Sequence, residues 1–178
     1  MGTTLKMLEL MLRQKLLGQG LKGEPNTPLI VSYAVTRACN LSCLHCHVSA
    51  REAMPDELNL KEAMHAIDEM ASLGTEAVIF SGGEPLLRKD FVLALADHCN
   101  SRGIITAILS NGLLITPHTA LQLQEAGIKA IGIPIDSVVP EKHDHLRNLP
   151  GTFNKAVSAI KTCLEIDLEV IITTMALK

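Results

Sequence analysis

Between residues 29 and 174, short aliphatic runs alternate with amphipathic segments, and this alternation narrows the fold more than any other feature of the chain. The runs at 29–36, 77–80, 104–109, 129–135 and 168–174 are almost continuously apolar, as strands are when both faces of their sheet are covered. The segments between them have helical periodicity. A helix is predicted over 60–73 with Met64, Ile67 and Met70 on one face; Asn59 and Glu62 are spaced as a capping box and Gly74 stops it. A second over 89–102 turns Val92, Leu95 and Cys99 inward and ends at Gly103. A third opens on Thr116-Pro117 and closes at Gly127, and a fourth over 152–166 points Phe153, Val157, Ile160 and Leu164 inward. Strands alternating with helices in this way imply βα units, an α/β fold and a parallel sheet of about five strands.

Ahead of the alternation, residues 4–17 read as an amphipathic helix with Leu5, Leu8, Leu12 and Leu16 at helical spacing, expected to pack on the outside of the domain. Gly18 and Gly20 end it, and 18–28 (GQGLKGEPNTP) is a Gly/Pro-rich connector. The expected organisation is therefore helix and connector over 1–27 and one domain over 28–178. A chain of 178 residues, 47% apolar, can bury a sizeable core, and with three Phe, one Tyr and no Trp that core is aliphatic. The net charge of −3 provides no basic face for nucleic acid. No apolar run approaches the ~20 residues of a membrane span, and Glu9, Arg13 and Lys15 interrupt the Leu/Met stretch that could pass for a leader. Nucleic acid and membrane are thus not expected partners.

Chemistry concentrates in TRACNLSCLHCH, where Cys39, Cys43 and Cys46 stand as C-x3-C-x2-C. Three thiols on one short loop are too few for a closed four-cysteine metal site and a poor pattern for disulfides. They suit a cubane iron–sulfur cluster with three irons held by protein and the fourth open. The rival is a zinc site with His45 or His47 as fourth ligand, which the run CLHCH permits. Clustered thiols favour a reducing compartment, so a cytoplasmic location is expected. Three further motifs follow. Ser81-Gly82-Gly83-Glu84-Pro85 comes directly after the 77–80 run, Ser110-Asn111-Gly112 after the third run, and Ile133-Pro134-Ile135-Asp136 leads into HDHLRNLPGTF, which contains Arg147. Each falls at the C-terminal end of a predicted strand, where sites in parallel α/β folds gather.

These four motifs, in this order, resemble the radical S-adenosylmethionine (SAM) superfamily over residues 28–178. The resemblance implies an incomplete (β/α) TIM-type partial barrel; members carry six βα units, and this chain shows five strands before it stops. On that ground the chain looks truncated, its fifth strand an aliphatic edge open to pairing with a second chain that completes the barrel. The implied cofactors are a 4Fe–4S cluster on Cys39, Cys43 and Cys46, and SAM. The implied SAM contacts are His45 against the adenine, Gly82, Gly83 and Glu84 at the methionine amino group, and Ser110 and Asn111 at polar parts of the cofactor. Asp136 would meet the ribose hydroxyls and Arg147 the carboxylate. Pro134 departs from the usual serine and removes both a hydroxyl and an N–H. The implied activity is reductive cleavage of SAM to a 5′-deoxyadenosyl radical that abstracts hydrogen, fed by a low-potential electron donor of flavodoxin or ferredoxin type. The strings TRACNLSCLHC, FSGGEPLLRKDF and HDHLRNLPGTF are similar to a branch containing haem-related tetrapyrrole enzymes and peptide-modifying cofactor maturases, with the tetrapyrrole reading slightly ahead. An inactive cluster- or zinc-binding fragment is the alternative of another class. His143, Asp144 and His145 are expected to be solvated on a polar loop, and Cys99 and Cys163 to be buried and inert.

Overall fold

A computed structural model describes residues 2–17 and 28–175. Helix α1 (Thr3–Leu17) precedes strand β1 (Ile30–Thr36) and α2 (Leu60–Ser72). Next come β2 (Ala77–Gly82), a short 3-10 turn (Pro85–Arg88), α3 (Lys89–Ser101), β3 (Ile105–Leu109), α4 (Pro117–Glu125) and β4 (Ile128–Pro134). The chain then forms α5 (Pro140–Arg147), α6 (Thr152–Glu165) and β5 (Glu169–Thr173). All strand pairs are parallel and the order is β1-β2-β3-β4-β5, the sequential arrangement of an open partial barrel. The expected α/β class therefore holds. Of the expected connector, residues 18–27 lie outside the described residues, as do the side chain of Leu16 and residues 176–178.

The outer layer forms as periodicity and caps dictate. Val78, Phe80, Ile108, Ile131 and Ile133 point from the strands into one core with Ala63, Ile67, Val92, Leu95, Cys99, Leu123 and Ala159 of the helices. Asn59 accepts from the Glu62 N–H at 3.1 Å while Glu62 accepts from the Asn59 N–H at 2.9 Å, a complete capping box on α2. Thr116 caps α4 through the Thr119 N–H at 3.1 Å. Along α6 the inward line is Ala156, Ala159 and Cys163; Leu164, expected inward, follows Cys163 by one residue, off that line, and is exposed. Two elements escaped the sequence reading: the 3-10 turn after the glycine loop, and α5, which is too polar to show an apolar face.

Helix α1 corrects an expectation. It does not pack outside the barrel but covers the inner face at the N-terminal ends of the strands. Its buried residues are Met7 and Leu10, against Ala77, Ile30, Ile79 and Ile105. Leu5, Leu8 and Leu12, the residues expected to bury, are more than half exposed. The N-terminal end of α1 is fixed by Glu169 at the start of β5, whose carboxylate accepts from the Thr3 N–H (2.6 Å), the Thr4 N–H (2.7 Å) and the Thr4 hydroxyl (2.8 Å). A carboxylate on the first free N–H groups of a helix satisfies them and complements the helix dipole.

Two substitutions separate the two faces. Leu10→Ala should lower unfolding free energy by about 2–5 kcal/mol, whereas Leu8→Ala should stay within about 0.5 kcal/mol of wild type. Urea denaturation followed by circular dichroism reads both, and the reverse ranking would return the helix to the outside.

Candidate functional site

Because every strand runs the same way, the four motif loops meet at one end of the sheet, around a cavity of about 430 Å³. Cys39, Cys43 and Cys46 are half-buried in its wall. Each sulfur receives one N–H donor: Leu41 N–H to Cys39 at 3.4 Å, Ala50 N–H to Cys46 at 3.4 Å, and Arg147 Nη1 to Cys43 at 3.9 Å. Donors to sulfur stabilise thiolate character, which a metal ligand needs. Against this, burial raises the Cys39 thiol above its ordinary value, with the Leu41 N–H pulling it back. Among the described residues no three His, Cys, Asp or Glu side chains converge on the position of a single ion.

The glycine loop lies tight against the start of the cysteine loop. Gly83 N–H donates to the Thr36 carbonyl at 2.7 Å and Glu84 N–H to the Ala38 carbonyl at 2.8 Å. A β-carbon on Gly83 would run into the Ala38 carbonyl; one on Gly82, at φ +132°, would strike the Thr36 carbonyl. The glycines are therefore required by backbone packing as well as by the cavity they line. Glu84 turns the other way. It is fully buried, and its carboxylate accepts from Ser110 Oγ (2.9 Å), Asn111 N–H (2.8 Å) and Leu86 N–H (3.1 Å). Burial pushes its carboxyl above the usual range, and those three donors partly offset the shift. Asn111 extends the link, its Nδ2 donating to Asn40 Oδ1 at 2.7 Å in the cysteine loop.

A second polar group closes the opposite side. Asp136, after β4, pairs with Arg147 Nη2 at 2.7 Å, and His45 Nε2 lies 3.7 Å from the same oxygen. His143 is buried, stacked edge-on against Phe153, and its Nδ1 accepts the Asp136 N–H at 3.2 Å. Nδ1 therefore carries a lone pair there, and its 4.0 Å approach to the Asp136 carboxylate is no ion pair. Burial, then the Arg147 charge, hold His143 below the ordinary histidine value, so it is neutral. Asp144 caps α6 by accepting from Gly151 N–H (2.6 Å), Thr152 Oγ1 (2.8 Å) and Phe153 N–H (2.8 Å). The expectation of a solvated loop over 143–145 is thus corrected. These residues form α5; two of them are structural, and only His145 is exposed, as expected.

Of the residues singled out from sequence, the cysteines, His45, Gly82, Gly83, Ser110, Asn111 and Arg147 all line the cavity. Glu84 and Asp136 do not line it: each sits behind the wall and holds residues that do. The Ser110 hydroxyl is likewise occupied, by Glu84 and by the Gly112 N–H at 3.1 Å. Sequence reasoning missed inner strand residues of the wall, among them Ser32, whose hydroxyl pairs with that of Ser81 at 3.0 Å, and Thr173 of β5, the register partner of Pro134. Strict alternation along each strand could have found them. Cys99 and Cys163 are buried in the core, where burial pushes their thiols up to about 12 and about 11.

Comparison with known proteins agrees with this geometry. A family model described as the radical SAM superfamily matches residues 33–178. The chain is 36% identical over 154 residues to an AdoMet-dependent heme synthase of Methanosarcina barkeri, covering 86% of this chain and 44% of that one. It is 32% identical over 136 residues to the mycofactocin maturase MftC of Mycobacterium tuberculosis, covering 76% and 34%. The chain thus spans less than half the length of these curated relatives. Among solved structures, Streptococcus suis SuiB bound to S-adenosylmethionine superposes with a TM-score of 0.74 at 20% identity, covering 85% of this chain and 35% of that one. Methylornithine synthase (PylB) superposes at 0.64 with 17% identity, covering 93% and 48%.

Two outcomes follow from the burial pattern. Glu84→Ala leaves three buried donors without an acceptor and should destabilise the metal-free protein by on the order of 3 kcal/mol; an unchanged urea midpoint would show that the carboxylate does not brace the wall. Iodoacetamide near neutral pH should modify Cys39, Cys43 and Cys46 in the native metal-free chain and spare Cys99 and Cys163 until it is unfolded. Mass spectrometry reads the sites, and native labelling at Cys99 would contradict its burial.

Proposed function

We propose, from the premise that this chain belongs to the radical SAM superfamily, that Cys39, Cys43 and Cys46 hold a 4Fe–4S cluster beside a SAM-binding cavity. We further propose that the complete enzyme acts on a haem-type tetrapyrrole. The observation that carries the reading is the ring of three half-buried thiols on one cavity wall, each with its own N–H donor. Among the described residues no three His, Cys, Asp or Glu side chains converge on the position of a single ion, so the three thiols on this wall fit a cluster that each would bind at a different iron better than a single zinc ion.

When bound, the cluster and SAM supply the reductive formation of a 5′-deoxyadenosyl radical, and the chain's own residues bind, orient and exclude water. His45 offers an imidazole face and an unpartnered buried Nδ1 to the adenine side of the cofactor. The peptide groups of Gly82 and Gly83, with Asn111, shape the wall nearest the cysteine loop. Arg147 keeps its Nε free of any protein partner while its other nitrogens reach Asp136 and Cys43. Of its five N–H groups, those two contacts leave three, from which the cofactor carboxylate can be bound. The parts of Glu84 and Asp136 are indirect, through Ser110, Asn111 and Arg147.

Tetrapyrrole chemistry is placed first because an AdoMet-dependent heme synthase at 36% identity over 154 residues and an Fe-coproporphyrin III synthase at 35% identity over 142 residues are named for it. Peptide modification is the second reading, favoured by the maturase match. A low-potential flavodoxin- or ferredoxin-type donor and a reducing cytoplasm fit an oxygen-sensitive cluster, and among the described residues no helix is long and apolar enough to cross a membrane. Strand β5 pairs only with β4 among the described residues, and a sixth strand from this or a second polypeptide would close the cavity there.

Anaerobic reconstitution should give about four iron and four sulfide per chain, with the EPR signal of the reduced cluster changing when SAM is added. Replacing any one of the three loop cysteines by Ala should remove most of the iron. Stoichiometric zinc with no iron–sulfur absorbance would overturn the assignment.

A further inference from the structure

We propose that Arg147, clamped by Asp136, is a positioning residue for the cluster itself: its guanidinium fixes the Cys43 thiolate and offsets its charge, and the pair thereby sets the cluster's reduction potential. The inference rests on the cluster assignment made above. It starts from three consecutive residues at the end of α5, each of which reaches the cysteine loop. The Leu146 carbonyl accepts from the Leu44 N–H at 2.9 Å, Arg147 Nη1 lies 3.9 Å from Cys43 Sγ, and Asn148 Nδ2 donates to Ser42 Oγ at 3.0 Å. Asn148 adopts the left-handed conformation that ends the helix, which turns its side chain back towards Ser42. The helix is anchored at its other side by buried His143 and by Asp144. Its C-terminal end therefore works as a fixed jaw against the segment that carries Cys43.

Charge makes this contact more than mechanical. The Asp136 side chain is 1% exposed and that of Arg147 13%. Interactions of such groups are weakly screened by water or salt. The contact between Arg147 and Cys43 is long for a hydrogen bond to sulfur, but a unit charge acts at that distance regardless. Positive charge and N–H donors next to a cluster sulfur stabilise the more negative, reduced state and raise the potential; a neighbouring carboxylate lowers it. Asp136 sits one residue further along this chain of contacts, 2.7 Å from Arg147 Nη2, so the two charges pull in opposite directions on the same thiolate. His143 adds no charge, because its Nδ1 accepts the Asp136 N–H.

Potentiometric titration of the reconstituted protein, monitored by EPR and carried out without SAM, isolates this role from any contact with the cofactor carboxylate. Arg147→Gln should move the midpoint to more negative potential and Asp136→Asn to more positive potential. The double variant should lie between the two, and Arg147→Lys between wild type and Arg147→Gln. Iron and sulfide content confirms that each variant is loaded; Asp136→Asn and Arg147→Lys keep the test open if Arg147→Gln loads poorly. Unchanged midpoints in loaded variants, or shifts of the same sign for both charges, overturn the inference while leaving the cluster assignment intact. A wild-type chain that takes up no cluster overturns both.

Discussion

Parallel pairing in chain order is the constraint on which the rest of this molecule depends. Five strands that all run the same way send every β-to-α loop to one edge, so four segments distant in sequence become neighbours without any long-range device of their own. The pairing of β1 and β2 does not stop where the strands do. It is carried on by Gly83 and Glu84, whose N–H groups bond to the Thr36 and Ala38 carbonyls, one residue before Cys39. The place at which the cysteine loop leaves the sheet is therefore set by the β1–β2 register. The two glycines are what allow the pairing to continue past the register shift between Ala34 and Thr36, since a β-carbon at either would collide with the neighbouring backbone.

Two buried carboxylates then stiffen what the sheet has assembled. Glu84 joins the loop after β2 to the loop after β3, and Asp136 joins the end of β4 to α5 and, through Arg147, to the cysteine loop. The cavity lies between these two links. Burying a carboxylate is unfavourable unless donors compensate it, and here the donors belong to residues whose own positions matter. The same hydrogen bonds that satisfy Glu84 also fix Ser110 and Asn111. A carboxylate that faced the cavity instead would leave those donors unpaired.

Much of this arrangement was legible in the sequence because it is written locally. Strands showed as aliphatic runs, α2 and α4 showed through the side chains of Asn59 and Thr116 that cap them, the cavity-facing cysteines and glycines showed through their position after strands, and Arg147 showed only through the resemblance of its motif. What failed to show depends on direction rather than identity. Helix α1 is apolar on two sides, so the spacing of Leu5, Leu8 and Leu12 was as good a signal as that of Met7 and Leu10, and only the fit against Ala77 and Ile105 decides between them. Helix α5 is stabilised by what it reaches, not by an apolar stripe, and its His143 and Asp144 are indistinguishable from surface residues until Phe153 and the N-terminal end of α6 are in place. The inward turn of Glu84 has the same origin: its type is readable, its orientation is not.

The anchoring of α1 gives the far end of the barrel a bearing on the site. Glu169 holds the first N–H groups of α1 at one end of β5, and Thr173 at the other end of that strand lines the cavity, followed by Met175. Strand β5 pairs with β4 alone among the described residues, so its inward face depends on α1 for lateral support at one end and on the Ile135 N–H bond to the Thr173 carbonyl at the other. Burial tends to raise the Glu169 carboxyl, but the donors from Thr4 and Thr3 outweigh it and hold the group below its usual value. A depressed carboxylate stabilises the fold above its unfolded pKa and loses that contribution as pH falls through the folded one. The α1–β5 contact therefore persists at neutral pH and weakens only in acid, and with it would loosen the strand that carries Thr173. Support of the cavity thus comes from both ends of the sheet, through the loop links around the cysteines above and through one glutamate and a helix N-terminus below.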